Sequence, residues 1–96
     1  MADFDSPDVA IKRGLNADRL LKDPALQAAF TGVREGLVSQ LEGVGLKDRE
    51  MQHEIVLSLQ LLAGVQHKLR KFIENGRFEQ DKLSRLDQAR RFMRQA

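Results

Sequence analysis

Ninety-six residues without a cysteine leave room for one modest core and none for disulfides or thiolate-held metals. Phe supplies all five aromatics, and no run of 18 apolar residues is present to cross a membrane. The net charge of +2 is polarised, because residues 1–64 carry seven Lys/Arg against ten Asp/Glu and residues 65–96 carry nine against four. That asymmetry calls for an acidic partner at the C-terminal end, or head-to-tail self-association.

The first residues, Met1-Ala2-Asp3-Phe4-Asp5, are acidic and lack the apolar stretch of a secretory signal, so a soluble intracellular protein is expected. Residues 1–15 read as an N-terminal arm, broken at Ser6-Pro7 and Gly14, with Phe4, Val9, Ile11 and Leu15 off a helical spacing across those breaks. Residues 16–96 read as a single helical domain. Asn16 can cap a short turn over 17–22. Asp23-Pro24 is a stronger start signal, since the Asp carboxylate accepts backbone N–H bonds and Pro at the first helical position loses none. The helix it opens runs over 24–42, with Leu26, Phe30, Val33, Leu37 and Leu41 in one stripe. Gly32 and Gly36 inside it either permit close helix contact or weaken an exposed face, at roughly 1 kcal/mol each.

Gly43-Val44-Gly45-Leu46 forms the turn, with Gly43 in a left-handed cap position. Asp48 then caps a long helix over 48–75, carrying Met51, Ile55, Leu59, Leu62, Leu69, Phe72 and Ile73. Its last turns hold His67, Lys68, Arg70 and Lys71, and Asn75-Gly76 closes it. The short connection makes these two helices antiparallel neighbours. Leu57 and Leu61 widen the apolar face beyond what a hairpin partner covers. The C-terminal segment, the arm or another subunit must cover them. A third helix, amphipathic and basic, follows over 78–94. Leu83, Leu86, Ala89 and Met93 form its stripe, with Phe92 beside it and Arg85, Arg90, Arg91 and Arg94 around it. The expected fold is therefore all-α: an antiparallel helical hairpin with an N-terminal arm and a C-terminal amphipathic basic helix.

No catalytic constellation stands out. His53-Glu54 lacks a second His at i+4, and His53 and His67 lie about 21 Å apart along one helix, too far to share a metal. Both read as solvent-facing. The five Ser/Thr hydroxyls have no His or Lys spaced to activate them. No catalytic, metal or cofactor-binding residue is assigned, and no enzyme is expected. The C-terminal arginines read first as a solvated face using i, i+4 pairs such as Asp81–Arg85 and Asp87–Arg91. An acidic protein surface comes second and nucleic acid third. Partner-binding candidates are Leu57, Leu61, Arg85, Arg90, Arg91, Phe92, Met93 and Arg94. Phe92 and Met93 could instead be core that covers Leu57 and Leu61.

The run Leu20-Leu21-Lys22-Asp23-Pro24-Ala25-Leu26-Gln27-Ala28-Ala29-Phe30, a polar turn, and a Leu-rich helix closing with Phe72-Ile73-Glu74-Asn75-Gly76-Arg77 make up a pattern. Over residues 16–80 it resembles small helical proteins encoded by tailed bacteriophages and prophages. The arm and the C-terminal helix fall outside the likeness, and no functional residues carry across. The resemblance implies a viral origin and a virion-structural or scaffold-like assembly role, in the host cytoplasm or within a virion. The expected function is that of a non-enzymatic, oligomeric, coiled-coil-like interaction protein. The alternatives are nucleic-acid binding through the basic helix, or inhibition of a host enzyme.

Overall fold

A computed structural model describes residues 6–95, and those residues form three α-helices: α1 (Pro7–Lys22), α2 (Pro24–Gly43) and α3 (Arg49–Gln95). No strand occurs among them. The all-α class and the hairpin are as expected from periodicity, but two element boundaries differ. Residues 1–5 of the expected arm lie outside the described residues. The chain divides into two units, Met1–Arg19 with Leu69–Ala96, and Leu20–Lys68.

The rest of the expected arm is helix. Ser6 caps α1: its Oγ accepts from the Val9 N–H at 3.3 Å and its carbonyl from the Ala10 N–H at 3.1 Å. Pro7 then occupies the first helical position, where its missing N–H would have had no intrahelical partner. Asp8 adds a carboxylate in the first turn. Ser6-Pro7 is thus a start signal like Asp23-Pro24, and not a break. Asn16 lies inside α1, where its Oδ1 accepts from Arg19. It caps nothing.

Gly14 stays helical because of what packs on it. A Cβ there would lie 2.7 Å from the Phe72 carbonyl oxygen and 3.1 Å from the Gly76 Cα. A Cβ on Gly76 would lie 3.0 Å from the Ala10 carbonyl oxygen and 3.2 Å from the Gly14 Cα. The two glycines mark a crossing at which α1 and α3 touch backbone to backbone. Ala10 meets Gly76 while Gly14 also reaches Phe72, so the helices run antiparallel. Ala17, one turn on from Gly14, is buried. The Arg13 guanidinium stands 5.1 Å from the Phe72 ring centroid. Ile11, Leu15 and Ile73 line a small cleft beside the crossing.

The same contact overturns the expected stop at Asn75-Gly76 and the separate helix over 78–94. α3 continues without a break to Gln95, and no described residue has positive φ. Gly76 costs about 1 kcal/mol of helix propensity. The close approach of α1, which only a glycine admits, offsets that cost. His67, Lys68, Arg70 and Lys71 consequently lie mid-helix and not at a C-terminus.

In the second unit the caps are as expected. Asp23, in extended backbone, accepts from the N–H groups of Ala25 (2.8 Å) and Leu26 (3.1 Å). Asp48 accepts from the Met51 N–H at 3.1 Å. Gly43 does not take a left-handed cap. It is the last residue of α2, and Val44 caps the helix in extended backbone with its N–H on the Leu41 carbonyl, 3.3 Å away. The Gln52 side chain ties the turn by donating to the Gly45 carbonyl at 3.1 Å. Ile55 is buried, and Leu26, Phe30, Leu37, Leu41, Leu59 and Leu62 are half-buried. Val33 and Met51, members of the expected stripes, are exposed, because two helices cover only one narrow strip of each other.

Candidate interaction surfaces

In the second unit, Leu57, Leu61 and Val65 follow one another at steps of four and share one side of α3. They are 44%, 72% and 53% exposed. Val65 is not among the sequence-derived candidates, although its spacing from Leu61 continues the series. Between α2 and α3 of the same unit, a groove of about 240 Å³ has Val38, Val56, Leu59 and Ala63 in its walls and Arg34 and Gln60 at its polar margin. His53 and His67 are both exposed.

In the first unit, the cleft beside the α1–α3 crossing extends along α3 as far as Gln80. From Asp81 to Gln95 every residue is exposed. Phe92 and Met93 are each 75% exposed, which removes the reading in which they are packed core. Two of the candidate arginines form the pairs their spacing allows: Arg85 with Asp81 at 3.1 Å, and Arg91 with Asp87 at 2.5 Å. Both are solvent-exposed pairs of the kind that contributes under about 1 kcal/mol. Arg90 and Arg94 have no hydrogen bond or ion pair to any described residue. Upstream, the Lys82 ammonium stands 5.6 Å from the Phe78 ring centroid and 3.4 Å from the Glu79 carboxylate. Glu79 Oε2 is shielded from solvent and that ion pair is too poorly aligned to count as a hydrogen bond.

The structure thus leaves the predicted candidates in two places: Leu57 and Leu61 on the hairpin unit, and Arg85 to Arg94 on the C-terminal turns of α3. Leu83 and Leu86, absent from the candidate set, are exposed in the second place. The signal that finds them is the stripe itself, once its residues are seen to be exposed. Among the described residues, no group of three His, Asp or Glu side chains could hold a metal ion, and no helix is long and apolar enough to cross a membrane. Comparison of the chain with protein-family models, curated proteins and solved structures finds no match.

Proposed function

We propose that this chain is a non-enzymatic interaction protein that acts by assembling, with the Leu57–Leu61–Val65 side of α3 as its self-association face. The observation that carries this reading is the exposure of three large apolar side chains at helical spacing on one face of a formed helix. Scattered exposed leucines are ordinary on a protein surface, but a contiguous apolar strip is the mark of an interface. The shortage of internal core points the same way, since Ala17 and Ile55 are the buried apolar residues among those described. A role in phage assembly would give such a protein its setting, and that part rests on the sequence resemblance alone.

Sedimentation velocity tests the assembly. The full chain is expected to run as a multimer at micromolar concentration, and Leu57→Ala/Leu61→Ala is expected to shift it toward monomer with little change in helix content. A monomer at every concentration would remove self-assembly.

A further inference from the structure

We infer that the last turns of α3, Leu83 to Arg94, are a preformed docking face for an acidic amphipathic helix of a partner protein. The inference deepens the interaction-protein reading and rests on it, but it concerns a different surface.

Along α3, Gly76, Glu79, Leu83, Leu86, Arg90 and Met93 recur at alternating steps of three and four, so they share one side of the helix. The upstream part of this track is where α1 lies: Gly76 is in backbone contact with Ala10 and Gly14. α1 begins at Pro7, and the cleft beside its crossing with α3 extends to Gln80. The track continues for about 15 Å from Leu83 to Met93, and there each of its residues is exposed. A helix seated there would continue the packing that α1 begins.

Charge selects the occupant. From Asp81 to Gln95 there are five cations and two carboxylates. Both carboxylates are engaged by Arg85 and Arg91, which leaves Arg90 within the track and Arg94 beside it without a described partner. A second copy of the same segment would set arginine against arginine. A nucleic acid would gain nothing from Leu83, Leu86 and Met93. A lipid surface favours one broad apolar face, whereas Phe92 projects away from the Leu83–Leu86–Met93 side. A helix with leucines on one strip and glutamates flanking it satisfies both the apolar track and the unpaired arginines.

The test uses the full chain and a fluorescein-labelled synthetic peptide of about three heptads, Leu at the two core positions and Glu at the flanking ones. A second peptide of the same composition has its leucines moved out of phase. Binding of the in-phase peptide is expected, at least about tenfold tighter than that of the out-of-phase one. Arg90→Glu, and separately Leu86→Ser/Met93→Ser, are expected to weaken it by about tenfold or more. These positions are exposed, so unchanged circular dichroism and an unchanged melt should accompany the loss. Equal affinity for both peptides, indifference to the variants, or tighter binding to duplex DNA or to phosphatidylglycerol vesicles would overturn the inference. So would a fall in oligomer mass in Leu86→Ser/Met93→Ser, which would give the face to a second copy. Failure here leaves the Leu57/Leu61 mass measurement untouched, so the two proposals fail separately.

Discussion

At Gly14 a methyl group has nowhere to go. The atoms it would meet, the Phe72 carbonyl oxygen at 2.7 Å and the Gly76 Cα at 3.1 Å, belong to the backbone of another helix and cannot rotate aside. Gly14→Ala is therefore expected to destabilise the protein by about 1–3 kcal/mol through overpacking, outweighing the roughly 1 kcal/mol that alanine gains in helix propensity. Gly76→Ala should cost stability for the same reason, with the Ala10 carbonyl oxygen 3.0 Å from the new carbon. At Gly32 and Gly36 a methyl group would have nothing within 4 Å, so Gly32→Ala and Gly36→Ala should each stabilise α2 by roughly 0.5–1 kcal/mol. Urea melts of the four variants check the signs. A Gly14→Ala protein as stable as the parent would mean that the α1–α3 crossing is looser than the structure has it.

At the scale of elements, α3 is supported unevenly. Gly76 and its neighbours lie beneath α1, whereas what supports Asp81 to Gln95 is local: its own backbone bonds, the Arg85 and Arg91 ion pairs, and the contacts of Lys82 with Phe78 and Glu79 one turn back. Isolated helices shorter than about 12–15 residues are marginal in water. Amide exchange should accordingly be slower over residues 72–80 than over 84–94, by about a factor of ten or more, with the in-phase acidic peptide slowing the second group. Equal protection in the free chain would show that the C-terminal turns are already covered. The uneven support also explains what could be read from the sequence. The Asp23-Pro24 and Asp48 caps, the α2 stripe apart from Val33, and the i, i+4 pairs of Arg85 and Arg91 are local and follow from spacing. Ser6-Pro7 carries the same local chemistry, but Gly14 farther on makes the segment look broken. Gly14 and Gly76 are read as punctuation when each is seen alone. Their helical role exists only because residues 62 apart in the chain meet, and no local pattern states that. For the surfaces, periodicity locates Leu57, Leu61 and the C-terminal arginines, but exposure is needed to add Val65, Leu83 and Leu86.

For the chain as a whole, stability and association should be one measurement. Few apolar side chains are buried among the described residues, and Leu57, Leu61 and Val65 stay open on a formed helix. A species that binds only the folded state adds to stability by mass action, by about 2.7 kcal/mol at a hundredfold excess over its Kd. For a domain of this size each kcal/mol moves Tm by roughly 4–8 °C. If copies of the chain cover one another through that face, Tm should climb by several degrees over a hundredfold range of protein concentration. Leu57→Ala/Leu61→Ala should flatten the climb, and at the lowest concentration should cost little, because exposed leucines have little burial to lose. Deleting residues 92–96 should leave both the climb and the low-concentration Tm unchanged, since Phe92 and Met93 are open to solvent and support no core. A Tm that ignores concentration would place the folding free energy within the single chain. A truncation that lowers Tm by many degrees would return Phe92 and Met93 to a structural role and take Met93 out of the docking face.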